Sequence, residues 1–206
     1  MTPGLTSLLL VTAFVTSPVT STQPAGRSKD DIHQGRITLK TTQTGFPIPA
    51  GQVIRDYPLL VRFDGDQFPW DEANPDGSDV TFETDAQRSL PVSIEEWNPK
   101  AKRAAIWVRI PLISGGDRQT LIVKWGKSPN HQRVTGPVFD SSNGFASVLH
   151  LGDESIDVLG TLSLRPDGTG TTPGAIGNAS RFSQGTGIAG TLQNGKSLPA
   201  GSQAST

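Results

Sequence analysis

The densest group of side chains able to do chemistry is acidic: Asp64, Asp66, Asp71, Glu72, Asp76 and Asp79. Carboxylates near Asn74 and loop carbonyls supply the oxygen donors that a hard cation such as calcium takes, with Asp76 and Asp79 as the candidate metal ligands. The spacing is not that of an EF-hand, which alternates Asx residues toward a Gly and ends on a Glu. Asn74-Pro75-Asp76-Gly77 is also a turn sequence, because Pro presets φ and Asp-Gly tolerates the tight bend. A turn that leads into a strand at Val80, with Asp79 bonded to its backbone, is the simpler account of the same residues. No cofactor is expected beyond that one cation.

The remaining candidates read as structure. His33, His131 and His150 are too scattered to share a metal. Glu95 and Glu96 are adjacent, as are Asp153 and Glu154. On a strand, neighbours point to opposite faces and cannot flank one glycosidic bond. There is no Gly-x-Ser-x-Gly elbow and no P-loop. The glycines at Gly168–Gly170 and Gly185–Gly190 sit in no strand-to-helix unit that could cradle phosphate. Of Trp70, Trp97, Trp107 and Trp125, three lie in apolar strand patterns and are expected in the core. Trp70 follows Phe68-Pro69 in a loop, and is the tryptophan expected near the surface as a ligand-binding ring. No catalytic residue is assigned, and the chain is expected not to be an enzyme.

The elements that position these residues are strands. The 206 residues include 23 glycines and 16 prolines, a density that long helices do not tolerate. Alternation marks Arg36–Lys40, Tyr57–Phe63, Val80–Glu83, Val92–Glu95, Ala104–Ile110 and Leu121–Trp125 as strands with one buried face. Asn98-Pro99-Lys100 and the stretch Pro111–Asp117 read as turns. The expected fold is all-β: an antiparallel β-sandwich over residues 35–135. Lys plus Arg (18) balance Asp plus Glu (19), so no field draws in nucleic acid.

Ahead of the strands, Leu8–Val15 is apolar and is followed by small and polar residues, the pattern of a signal peptide, expected over 1–21, with a buried N-terminal strand as the alternative. It is too short to span a bilayer, and no other stretch is long enough to form a transmembrane segment. Residues 22–34 have a linker composition and are expected to be disordered. Residues 136–206 are rich in Gly, Thr and Ser with few apolar anchors, too few to close a core alone. The chain has no cysteine, which removes disulfides and thiolate chemistry.

Four stretches resemble a bacterial domain-of-unknown-function family of exported proteins: Asp76–Phe82, Leu90–Trp97, Ile106–Pro111 and Leu121–Gly126. The family's closing "YYGN"-like motif is replaced here by Lys124-Trp125-Gly126-Lys127. That family typically precedes a concanavalin A-like (LamG) jelly roll and also occurs in long ExbB/TolQ-like proton-channel proteins. Val148–Glu154 resembles the opening strand of such a jelly roll, with His150 in a packing role, and Gly174–Phe182 resembles its "G-x-I-G-x-A-x-x-F" segment. The resemblance implies an incomplete jelly-roll domain over 136–206, cut short at Thr206. It further implies a periplasmic or cell-surface module that binds a glycan or a cell-surface protein without catalysis. A spacer ectodomain and a fragment of a carbohydrate-active enzyme are the alternatives.

Overall fold

The computed structural model describes residues 32–126, 136–152, 155–193 and 195, together with the backbone of 12–14. Compactness divides the chain into two units, Met1–Val138 and Phe139–Thr206. The strands of the first unit are β1 (Thr12–Phe14), β2 (His33–Lys40), β3 (Val53–Asp64), β4 (Thr81–Thr84), β5 (Ser89–Leu90), β6 (Val92–Asn98), β7 (Arg103–Ser114) and β8 (Arg118–Trp125). They form two four-stranded sheets, ordered β1-β3-β7-β6 and β2-β8-β4-β5. All pairs are antiparallel except β1, whose backbone runs parallel to Leu60–Arg62. The six expected strands are thus present, and the first unit is an antiparallel β-sandwich.

Period-two alternation builds its core. Ile37 and Leu39 of β2, Leu59, Val61 and Phe63 of β3, Phe82 of β4, Ile106, Val108 and Ile110 of β7, and Leu121, Val123 and Trp125 of β8 form one buried cluster between the sheets. In β2 the alternation is strict from its first residue, His33, which is buried. His33 and Gln34 therefore belong to the sandwich rather than to a disordered linker reaching Gln34. Packing of the imidazole against Trp125 at 5.8 Å draws the strand in two residues early.

Two further expectations need correction. The stretch Pro111–Asp117 is not all turn, because β7 runs on to Ser114 with Ile113 buried, and the reversal occupies Gly115–Asp117. Pro111 is tolerated because β7 pairs there with β3 only, and Asp56 opposite it drops out of the ladder. The reversal is held by Thr41, whose hydroxyl lies 2.6 Å from the Ser114 carbonyl and accepts the Asp117 N–H at 2.9 Å. The second correction concerns Glu95 and Glu96. A bulge between Ile94 and Glu96 breaks the alternation of β6, as an extra residue does. Both carboxylates consequently bind β7 side chains of one parity: Glu95 accepts from Trp107 Nε1 at 3.3 Å and Glu96 from Arg103 at 3.0 Å.

The second unit has β9 (Leu149–Leu151), β10 (Ser155–Asp157), β11 (Leu162–Asp167), β12 (Gly170–Pro173), β13 (Asn178–Arg181) and β14 (Gly187–Leu192). They pair two by two, β9 with β10, β11 with β14 and β12 with β13, all antiparallel. Such small sheets need support beyond their ladders. Asp157, itself buried, provides it. One carboxylate oxygen accepts the N–H groups of Val148 and Leu159, and the other accepts those of Thr161 and Leu162, the last two at 2.8 Å each.

Burial pushes the Asp157 carboxyl up, but the N–H groups of Val148, Leu162 and Leu159 outweigh it and hold the group below the ordinary aspartate value. A depressed carboxylate stabilises the fold above its unfolded value, and that contribution is lost as pH falls through the folded one. Asp157→Asn is therefore expected to destabilise the second unit at neutral pH by about 1–3 kcal/mol and to remove part of its acid sensitivity. Amide exchange at Thr161 and Leu162, followed from neutral pH to below about pH 4, checks this. Equal protection in variant and parent throughout would refute it.

Candidate functional site

The acidic loop between β3 and β4 folds over one end of the sandwich. It contains two short 3-10 turns, Gly65–Gln67 and Trp70–Glu72. Phe68 is fully buried, and its ring meets Phe63 at 4.9 Å, Trp125 at 5.1 Å, Trp70 at 5.3 Å and Trp97 at 5.4 Å. Aromatic pairs at such separations and tilts add attraction beyond the area they bury. The loop is thus an extension of the core.

Trp70 is part of this cluster and not a surface ring. It is 8% exposed, its indole N–H donates to the Gly65 carbonyl at 2.6 Å, and Trp97 covers it at 5.3 Å. The turn at Trp70–Glu72 points the ring inward, and the Gly65 carbonyl satisfies its one polar atom, so burial costs little. Trp97 and Trp125 are also packed in the cluster. Trp107 has the opposite parity in β7 and is half-buried.

The acidic side chains have separate partners. Asp66 accepts from Lys102 Nζ at 2.5 Å; this hydrogen bond, and then the lysine charge, hold its carboxyl below the ordinary value. Glu72 accepts from Trp125 Nε1 at 3.1 Å, with His33 Nδ1 3.6 Å away. Asp76 is exposed and takes the Ser78 N–H at 3.0 Å, a local turn contact. Asp79 is buried, with one oxygen accepting the Asn74 N–H at 2.9 Å and the other the Gly126 N–H at 2.8 Å. The two candidate metal ligands thus both bind backbone. Among the described residues no group of three His, Asp or Glu side chains stands close enough to hold a metal ion. Gly77 completes the loop: its φ is +66°, and a Cβ there would lie 2.5 Å from the Trp97 ring. Glycine meets both demands at once.

Of the histidines, His33 is buried against Trp125, and neither ring nitrogen has a hydrogen-bond partner. His150 lies on β9 with its ring edge-on to Phe139 at 6.2 Å. His131 lies outside the described residues. Sequence reasoning missed two polar centres, Asp157 and the Asp56–Arg109 pair. Asp157 is followed by a tight Leu159-Gly160-Thr161 turn, a usable signal for a side chain that caps its own backbone. Asp56 and Arg109 stand 53 residues apart with nothing local to join them.

The carboxylate of Asp79 is expected to matter for closing the sandwich. Asp79→Ala leaves two backbone N–H groups without their acceptor and should cost about 2–4 kcal/mol, allowing about 1–3 for each orphaned donor with partial rescue by solvent. Urea unfolding followed by tryptophan emission reads this directly. A loss below about 0.5 kcal/mol, the range of ordinary surface substitutions, would show that the tether is dispensable.

Comparison with known proteins adds one match. No curated protein and no solved structure matches the chain. Residues 76–147, from the turn before β4 to the first residues of the second unit, match the model of the family described as a domain of unknown function, DUF2341.

Proposed function

We propose that this chain is an exported, non-catalytic binding module whose partner is a protein of the cell surface. The carrying observation is where its large apolar side chains are exposed. Among the described residues, Leu149, Ile156, Val158, Phe182 and Leu192 of the second unit are all more than 40% exposed, against Ile32 and Val53 in the first. Aliphatic side chains beside open strand edges suit a protein surface, which can add a strand and cover them. Glycan platforms favour flat, accessible indoles, whereas Trp70, Trp97 and Trp125 are packed into the aromatic cluster and Trp107 is half-buried with its N–H on Glu95.

The non-catalytic part of the reading draws on the acidic loop. Its carboxylates orient backbone and neighbouring side chains: Asp79 on two amides, Glu72 on an indole and Asp66 on an ammonium. Export is supported by the apolar run Leu8–Val15 and the polar stretch that follows, while the pairing of Thr12–Phe14 with β3 is what a retained N-terminal strand would give. No helix among the described residues is long and apolar enough to cross a membrane.

Expression of the full chain in a bacterium, followed by fractionation and intact-mass measurement, tests export. A shortened chain outside the cytoplasm is expected, and an unprocessed chain retained inside would refute export. The purified chain is then tested for saturable binding to cell-surface protein and to a glycan array, alongside Ile156→Lys and Leu192→Lys variants. Binding to protein that both variants weaken supports the module. Binding to glycan that neither variant alters transfers the reading to a carbohydrate ligand, and release of sugar from the array would overturn the non-catalytic assignment. Saturable binding to neither favours a spacer.

A further inference from the structure

We propose that Asp56 and Arg109 form a clasp that fastens the segment Gly136–Val138 to the outer side of the β3–β7 pair, and that losing the clasp frees this strap while the sandwich stays folded. Arg109 has the parity of Trp107, opposite to the core-facing Ile106, Val108 and Ile110, so its side chain leaves the sheet on the outside. Its Nε donates to Asp56 Oδ1 at 3.2 Å, and its Nη1 donates to the Pro137 carbonyl at 3.1 Å. A guanidinium has five donors in a rigid fork, so fixing one edge on a carboxylate aims the other edge.

The backbone of Asp56 supports this assignment. Its φ is +49°, a left-handed conformation that side chains adopt at a cost, with Asp and Asn the most tolerant. It stands opposite Pro111, where the ladder has no pair. The strained residue at this irregularity is the one that holds Arg109.

The strap itself forms no strand. Its hold on the first unit includes the bond from Arg109 to the Pro137 carbonyl, and its Val138 is 3% exposed. The first unit ends at Val138, so the clasp sits at its last residues. The Asp56 side chain is 43% exposed and that of Arg109 16%, so water and salt reach the pair. A fastening of this kind weakens with ionic strength, unlike a buried apolar seam.

The chain has no cysteine, so Val138→Cys provides a single thiol reporter. Its labelling by a soluble disulfide reagent is expected to be slow in the otherwise unaltered chain, and about tenfold or more faster with Arg109→Gln, as local opening replaces protection. Asp56→Asn should give a smaller change in the same direction. Raising salt from about 50 mM to about 1 M should speed labelling in the parent and leave Arg109→Gln unchanged. Tryptophan emission and the urea midpoint report whether the sandwich is intact. Amide exchange at Val138, without the cysteine, repeats the test should that substitution itself loosen the strap. Equal rates in parent and Arg109→Gln, with the sandwich folded, overturn the proposal. So does collapse of the urea midpoint in Arg109→Gln, which would make Arg109 a structural member of the sheet and no clasp.

Discussion

The end of the sandwich stays closed because one buried carboxylate holds two distant pieces of backbone together. Asp79 takes the Asn74 N–H on one oxygen and the Gly126 N–H on the other, joining the acidic loop to the residue after β8. The rest of that end depends on this placement. With the loop down, Phe68 enters the core and Trp70 and Trp97 close over it. Glu72 then reaches Trp125, and the start of β2 can bury His33. A loop that reads as a string of charges thus carries a large share of the aromatic core, because its charged atoms point to backbone amides and its rings point inward.

Much of the first unit was legible in the sequence, and the reason is local. Ile37 with Leu39, and Ile106 with Val108 and Ile110, alternate so regularly that a half-buried strand is the natural solution for each. What escaped depends on partners distant in sequence. Trp70 reads as a surface ring because it follows Phe68-Pro69 in a loop outside the alternating strands, whereas the Gly65 carbonyl and the Phe68 and Trp97 rings decide its fate. His33 reads as linker because Ser, Lys and Asp precede it, whereas Trp125, far along the chain, draws it in. The bulge at Glu95 has no signature in composition and overturns the opposite-face assignment of the two glutamates. Asp76 and Asp79 lie at the turn that Asn74-Pro75-Asp76-Gly77 signals, but the depth of Asp79 follows from Gly126, which the local motif cannot indicate.

The two units use the same device for different ends. In the first, backbone amides converge on Asp79 to seal a core that alternation has already built. In the second, four amides converge on Asp157 in a unit whose described strands pair two by two and which exposes several large apolar side chains. There the carboxylate supplies order that side-chain packing supplies elsewhere.

Gly77 links two positions that a family comparison would otherwise treat as independent. Its backbone occupies the left-handed region, and its α-carbon lies against the face of Trp97. An Asn or Asp at 77 could adopt the dihedral but would collide with the indole. Position 77 can therefore acquire a side chain only in company with a smaller residue at 97. Across relatives that share this loop the two columns should covary, and a sequence with a bulky residue at both would mark a loop folded along a different path.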